Sequence, residues 1–277
     1  MSLLNLLGEE TDGLCSSSGW GMVYQTIPWG LVKPIYWSIW LFTSPLARID
    51  VSDGPAKTIA LVNTDTQQLT ILPMALTIGY IIPTVLAALP APSFWTIEQK
   101  QILLAIWQGF PIWIGISQFV LSFVIRQRSP STPASTIKSI RWVYRYCLAL
   151  TGVTHFSVLI LASFPCLFPG LFSIDACEGV SLSLVFVPQS PFSQEAAVSL
   201  ADGMRTLLAY DMYYACFGTL VWAFVVTNSA KQEVLVSVLA RVFIYTALYG
   251  PGGAALAMVQ RRDEEVFRKV KPKGKNL

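Results

Sequence analysis

Charged side chains are scarce in this sequence, and histidine is nearly absent. Asp, Glu, Lys and Arg together make up 13% of the 277 residues, and there is one His. A soluble domain carries roughly a quarter charged residues. Hydrophobic residues reach 53% here, and they stand in long runs rather than in amphipathic stripes. The composition therefore excludes an ordinary soluble domain and predicts an all-α protein, a polytopic bundle of transmembrane helices.

The motifs of several common enzyme classes are missing as well. The sequence contains no DDxxD, P-loop, GxGxxG, GxSxG or HExxH motif, and its five cysteines lack CxxC spacing. We therefore predict no metal site and no cofactor, which disfavours metal-dependent diphosphate ionisation, nucleotide hydrolysis, hydride transfer and metalloproteolysis. Basic residues gather at 126–141 and after Gln260, a distribution that suits membrane orientation better than nucleic-acid binding.

Six segments are long and apolar enough to cross roughly 30 Å of hydrocarbon. They are residues 26–46, 70–91, 101–125, 142–164, 204–227 and 234–259. We expect one integral-membrane domain over residues 1–277, with an N-terminal segment at 1–25, the helical bundle at 26–259 and a basic cytosolic tail at 260–277.

The segment 165–188 decides between six and seven spans. With six spans, nine Lys and Arg residues lie on one side of the membrane, including Arg205 at the start of span 204–227, and seven lie on the other. If 165–188 also crosses, the split becomes fourteen against two, a strong positive-inside signature. The sequence therefore predicts a seventh span and a cytosolic C-terminus, with the endoplasmic reticulum as the expected membrane.

Asp211 is the acid placed inside the apolar stretch LLAYDMYYACFGTLVWAF at 207–224. Ionisable residues within a span face a bundle interior or a cavity and often serve a function. Tyr214, Gly218 and Trp222 follow at helical spacing on the same face. Two interpretations stay open: Asp211 belongs to a functional pocket, or it holds neighbouring helices together.

The last predicted span offers possible neighbours for this acid. Because a short connection joins the last two spans, Tyr249 lies at nearly the same height as Asp211 in a hairpin of helices, and Arg241 lies nearer the turn. Arg241 shares a face with Tyr245 and Tyr249, and it either binds an anionic group or extends toward the interface. The interruption YGPGG at 249–253 either lines a cavity or only kinks the helix.

Aromatic and imidazole side chains complete the candidate pocket. His155 is a poor metal ligand without nearby carboxylates, so we expect a packing or substrate-binding role. Trp40, Trp107, Trp113 and Trp222 lie within predicted spans, where aromatic faces can stabilise a cation. Each of them can equally be a packing residue.

Six short blocks occur in order along the chain: WSIWLFTSPLA, GYIIPTVLAALP, AIWQGFPIWI, VFVPQSP, LLAYDMYY and LYGPGGAALAMVQRRDEE. Together, over roughly residues 30–265, they resemble the small integral-membrane terpene cyclases of fungal meroterpenoid pathways, especially those of ascofuranone and ascochlorin biosynthesis. The resemblance implies a metal-free reaction in which an epoxide or alkene of a prenylated aromatic or polyketide substrate is protonated and the polyene cyclises.

On this resemblance, Asp211 is the expected general acid, and Tyr249 or Tyr214 orients it. The other substrate-binding candidates are Trp222, Trp40, Trp107, Trp113, His155, Arg241 and Tyr245. The expected substrate is a lipophilic, epoxyfarnesyl-type molecule that reaches the site through membrane lipid. An epoxidase and a prenyltransferase in the same membrane are the expected upstream partners.

Two other function classes stay open at the level of sequence. A small-molecule or proton-coupled transporter would use Asp211 as a relay, although the chain has no internal repeat of the kind many transporters share. A receptor or scaffold is suggested only by the number of spans, which says nothing about function by itself.

Overall fold

The computed structural model describes residues 17–49, 57–60, 65–125, 132–168, 180–193, 195–228 and 235–268. Within these ranges the regular structure is helical and contains no strand. The predicted all-α class is therefore confirmed for the described residues.

Ten helices carry the described chain. They are α1 (Ser17–Val23), α2 (Trp29–Thr43), α3 (Thr66–Leu76), α4 (Ile82–Ala88), α5 (Ile97–Gln108), α6 (Phe110–Val124), α7 (Pro133–Leu167), α8 (Leu182–Phe186), α9 (Leu200–Asn228) and α10 (Leu235–Arg268). A 3-10 turn at Pro45–Arg48 follows α2, and a π-helical turn at Thr77–Ile81 joins α3 to α4.

Four helical stretches are long and apolar enough to cross a membrane: Thr66–Ala88, Pro133–Pro165, Leu200–Asn228 and Leu235–Arg268. Helices α5 and α6 add a fifth if the pair, bent by 65° at Gly109, forms one broken span. Among the described residues this supports a helical membrane protein with four to five candidate spans, and it does not establish six or seven. The predicted span 26–46 carries the 15-residue α2, and the predicted span 165–188 lies largely outside the described residues.

The described chain forms two compact units. The first contains Met1–Thr26, Thr43–Cys147 and Arg262–Leu277, and the second contains Ile27–Phe42 and Leu148–Arg261.

In the first unit, α3 and the beginning of α7 lie side by side and point the same way. The hydroxyl oxygens of Thr66 and Thr136 are 2.9 Å apart, and those of Thr70 and Ser139 are also 2.9 Å apart. Two helical turns further along both helices, the hydroxyl oxygens of Thr77 and Tyr146 are 2.6 Å apart. Each of these hydroxyls finds its hydrogen-bond partner in the other helix, because lipid offers none.

Helix α6 runs opposite to α3 in the same unit. Gln67 donates through Nε2 to the carbonyl oxygen of Ser122 at 2.7 Å. At the other end Gly79, in the π-helical turn, lies against the backbone of Ile114: a Cβ at Gly79 would come within 2.5 Å of the Ile114 nitrogen. Only glycine permits so close an approach.

In the second unit, α10 is broken at Gly250, which adopts φ 71° and ψ 171° ahead of Pro251. The broken helix lies beside α7, where a Cβ at Gly250 would come 3.1 Å from Nδ1 of His155. A positive φ is accessible to glycine at little cost. The YGPGG stretch thus interrupts the helix, as the sequence indicated.

Candidate active site

Asp211 lies on α9 against the first turn of α2. Its Oδ1 accepts a hydrogen bond of 2.6 Å from the backbone N–H of Gly30. The first N–H groups of a helix have no partner within that helix and carry its positive end. Because Gly30 is the second residue of α2, the carboxyl group of Asp211 satisfies such a group from a helix 181 residues away in sequence.

Two glycines let α2 and α9 approach each other closely. A Cβ at Gly30 would come within 2.6 Å of the carbonyl oxygen of Asp211, and a Cβ at Gly218 would come within 2.8 Å of Pro34 Cγ. From Gly30 to Pro34 the contacts advance along α9 from Asp211 to Gly218, so the two helices run parallel. The face of α9 that the sequence assigned to Asp211 and Gly218 is thus the face that packs on α2.

A buried tryptophan cluster continues this seam. Trp37 stacks on Trp222 with ring centroids 3.9 Å apart, and Trp40 meets Trp222 edge to face at 5.3 Å. Nε1 of Trp37 donates to the hydroxyl of Thr219 at 3.0 Å. Trp40 and Trp222 expose 0% and 3% of their surface. The structure therefore brings Trp40 of α2 and Trp222 of α9, two of the predicted substrate-binding residues, together across the seam on which Asp211 lies.

Lys33 is a site feature that sequence reasoning missed. This lysine is 1% exposed, and its Nζ lies 5.0 Å from the ring centroid of Trp37, 5.6 Å from that of Trp29 and 5.7 Å from that of Tyr36. Aromatic faces at such distances attract an ammonium group. The available signal was a lysine within an apolar run, with aromatic residues one turn to either side.

Tyr214 and Tyr249 are the residues predicted to orient Asp211. Tyr214 follows one turn later on α9 and is 63% exposed. The Tyr249 ring lies against Gly152 of α7, where a Cβ would come within 3.3 Å of Cδ1. Among the described residues, Gly30 is the hydrogen-bond partner of Asp211, and neither tyrosine bonds to it.

The remaining predicted site residues fall in three places. His155 lies beside the break at Gly250. Arg241 and Tyr245 are half-buried on the part of α10 before the break. Trp107 and Trp113 belong to the first unit, where Trp107 donates to Thr84 Oγ1 at 2.9 Å and Trp113 donates to the carbonyl oxygen of Ile106 at 2.7 Å.

The segment that contains VFVPQSP is bound to the start of α9, which the sequence did not reveal. Tyr210 donates through its hydroxyl to the carbonyl oxygen of Gln189 at 2.8 Å. Tyr213 donates to the carbonyl oxygen of Phe186, and Arg205 to that of Leu184. Residues on both sides of Asp211 in sequence therefore hold the backbone at 184–189.

A second buried polar cluster lies in the first unit. The Tyr144 hydroxyl donates to Asp263 Oδ2 at 2.6 Å. Arg262 Nη2 donates to the carbonyl oxygens of Leu46 and Ile49, each at 2.9 Å. Arg262 and Asp263 are 5% and 4% exposed. Because these bonds tie the end of α10 to α7 and to the turn after α2, the cluster fits a structural role.

Among the described residues, no group of three or more His, Cys, Asp or Glu side chains is arranged to hold a metal ion. The α2–α9 seam contains Asp211, the backbone N–H of Gly30, the tryptophan rings and Lys33.

Comparison with known proteins gives a consistent set of relatives. The CtvD domain family matches residues 8–267. The terpene cyclase ascI of Acremonium egyptiacum is 25% identical over 260 residues, covering 90% of this chain and 62% of that protein. The terpene cyclase penA of Penicillium crustosum is 26% identical over 197 residues, covering 68% of this chain and 51% of that protein.

A third relative, the terpene cyclase janA of Penicillium janthinellum, is 26% identical over 150 residues, or 54% of this chain and 38% of that protein. The chain thus spans less than two thirds of the length of these curated relatives. No solved structure matches it significantly.

Proposed function

Because the chain belongs to the CtvD-domain family, we propose that it is a membrane-bound terpene cyclase of fungal meroterpenoid biosynthesis. The family model matches residues 8–267, which include both helices of the α2–α9 seam. The substrate is a lipophilic, prenylated aromatic or polyketide molecule that bears an epoxide, or an alkene, on its prenyl chain.

The proposed reaction is an acid-initiated cyclisation. Asp211 gives a proton to the epoxide oxygen, the carbon–oxygen bond breaks, and the electron pair of the nearest alkene forms a new carbon–carbon bond. The final cation loses a proton, so the product is an isomer of the substrate. General acids of this kind typically contribute about 10²–10⁴-fold to a rate.

The observation that carries this proposal is the hydrogen bond between Gly30 and Asp211. A carboxylic acid accepts hydrogen bonds at its carbonyl oxygen and donates its proton from the hydroxyl oxygen. Since Oδ1 accepts the N–H of Gly30, Oδ2 is the oxygen that would carry the proton. The backbone bond fixes the carboxyl group in place, which is what a pre-positioned acid requires.

The aromatic residues take the supporting roles in this proposal. Trp222, on the same face of α9 as Asp211, and Trp40, across the seam on α2, would stabilise a developing cation with their rings. Tyr249 and Tyr214 would orient the acid, and His155, Arg241 and Tyr245 would contact substrate.

We place the protein in the endoplasmic reticulum membrane, with its C-terminus in the cytosol. An epoxidase and a prenyltransferase in the same membrane would supply the substrate. This location suits a substrate that partitions into lipid. It also keeps water away from the prenyl chain of the substrate, where water would capture the cation early.

Turnover in microsomes tests the proposal. Wild type and Asp211→Asn are expressed in yeast, an epoxyfarnesyl phenol is added with EDTA, and the products are resolved by chromatography and NMR. We expect a cyclised isomer from wild type and at least a roughly hundredfold loss in Asp211→Asn. Asp202→Asn is the matched control, because Asp202 lies on the same helix in an ion pair of 2.7 Å with Arg205.

The alternative, a small-molecule or proton-coupled transporter, gives a different outcome. It would move the probe across sealed vesicles without changing its connectivity. Unaltered substrate together with wild-type flux would replace the cyclase proposal with that alternative.

A further inference from the structure

Two indole N–H groups in the tryptophan cluster have no acceptor. Nε1 of Trp40 and Nε1 of Trp222 are buried and make no hydrogen bond among the described residues. Most buried side-chain donors in proteins are paired, so each exception requires an explanation. Both donors belong to rings that touch across the seam between α2 and α9.

The cluster itself cannot satisfy both donors. The nearby hydroxyl of Thr219 already accepts from Trp37 and donates to the carbonyl oxygen of Ala215 at 2.7 Å. Trp40 and Trp222 meet edge to face, at an interplanar angle of 76°. In such a pair, at most one N–H can be directed at the partner ring, and a ring face is a weak acceptor.

Trp222 of this donor pair lies on the same face of α9 as the proposed acid, and Trp40 meets it from α2. Trp222 follows Asp211 by eleven residues, which is close to three helical turns and roughly 16 Å along the axis. Gly218 packs on Pro34 between the two, so a substrate that separates α2 from α9 at this contact would meet the acid at one end and the indole N–H groups at the other. Lys33, over the rings of Trp37 and its neighbours, adds positive charge to the same cluster.

We propose that Trp40 and Trp222 form a subsite whose indole N–H groups bind an acceptor oxygen, a phenol or carbonyl, on the aromatic head of the substrate. The inference rests on the proposed function and adds which end of the substrate lies where. The head group sits at the Nε1 groups of Trp40 and Trp222, and the epoxide end of the prenyl chain lies at Asp211.

Binding of two unreactive probes tests the subsite. Farnesyl phenol and farnesyl benzene differ only in the hydroxyl group, and neither carries an epoxide, so the measurement does not depend on turnover. The protein is placed in nanodiscs, and dissociation constants are obtained from quenching of tryptophan fluorescence. We expect wild type to bind the phenol roughly tenfold more tightly, the equivalent of one well-made hydrogen bond.

Single substitutions to Phe remove each N–H while keeping an aromatic ring. In Trp40→Phe and in Trp222→Phe the preference for the phenol should fall to about threefold or less. Trp37→Phe is the matched control from the same cluster. Its N–H is already bonded to Thr219, so its loss should lower the thermal unfolding midpoint and leave the tenfold preference intact.

Three outcomes would overturn the subsite: equal binding of both probes by wild type, an unchanged preference in both Phe variants, or loss of the preference in Trp37→Phe as well. Failure of the cyclase proposal appears separately, as absence of a cyclised product in the microsomal assay. A phenol preference that depends on Trp40 and Trp222 would stand even then.

Discussion

The backbone N–H of Gly30 donates to Oδ1 of Asp211 over 2.6 Å. This bond joins the two interpretations that the sequence left open for Asp211. The carboxyl group holds α2 against α9, and in the proposed reaction the same contact would fix its orientation for proton transfer. The two roles can therefore be separated only by a substitution that keeps the oxygen accepting from Gly30 and removes the oxygen that would carry the proton.

Asp211→Asn and Asp211→Ala should differ in stability. The amide oxygen of Asn can still accept from Gly30, whereas Ala leaves that N–H without a partner in a membrane, where lipid offers none. Loss of a side chain that caps a helix costs about 0.5–2 kcal/mol. We expect a lower thermal unfolding midpoint in detergent for Ala and a near wild-type midpoint for Asn. Equal destabilisation by both would show that the Gly30 contact contributes little.

Gly218→Ala should loosen the α2–α9 seam. Its new Cβ would lie 2.8 Å from Pro34 Cγ, and overpacking of this kind costs roughly 1–3 kcal/mol. Gly115→Ala, where a Cβ meets no atom within 4 Å, should leave the unfolding midpoint unchanged or raise it slightly. Adding Pro34→Ala to Gly218→Ala should restore part of the loss, since the closest atom is then removed. No recovery in the double variant would argue against the contact.

The sequence predicted the residues of this seam better than their partners. Asp211, Trp40 and Trp222 stand out because an acid is rare in an apolar run and tryptophan is large. Gly30 has no side chain to mark it, and its N–H matters only because α2 lies beside a helix 181 residues away. The spacing of Tyr214 put it on the acid's face, yet the side chain is 63% exposed, because helical spacing defines a face but not what covers it.

The cluster around Asp263 should depend on both of its partners. Tyr144→Phe removes the donor to a buried carboxyl group and should cost about 1–3 kcal/mol. Asp263→Ala leaves Arg262 buried without the nearby acid and should cost roughly 3–5 kcal/mol. Arg141→Ala is the comparison, because its pair with Glu264 is partly exposed, at 37% and 26%, and such pairs are worth about 0–1 kcal/mol. Unfolding midpoints in detergent should follow this order, and a reversed order would contradict it.

Helix directions predict the membrane faces of the chain. Helices α3 and α7 point the same way, and two crossing helices that do so need an odd number of crossings between them. The bent pair α5–α6 supplies one, so we propose that it is a broken span. A glycosylation acceptor inserted after Ser93 should then be modified, whereas acceptors at Thr132 or after the last residue should not. Modification at both Ser93 and Thr132, or at neither, would contradict the broken span.

The same argument bears on the proposed seventh span. Helices α2 and α9 are parallel, so an odd number of crossings must separate them. The three candidate crossings at 66–88, 97–124 and 133–165 already meet this condition. A further crossing at 165–188 would reverse α9, so we expect Leu167 and Leu200 on one face. The bond between Arg141 and Glu264 returns the end of α10 to the face where α7 begins, and the break at Gly250 is where α10 can turn back.

This arrangement keeps the charge bias that motivated a seventh span. With both ends of α10 on the cytosolic face, fourteen Lys and Arg residues outside the predicted spans lie on that side, and two, Lys100 and Arg205 at the start of span 204–227, lie on the other. Positive-inside orientation is then satisfied without a crossing at 165–188. Acceptor sites placed beside Phe168 and Leu200 should both be glycosylated, and one beside Lys231 should not. Modification at only one of the first two would restore the crossing at 165–188 and show that the parallel packing of α2 and α9 is wrong.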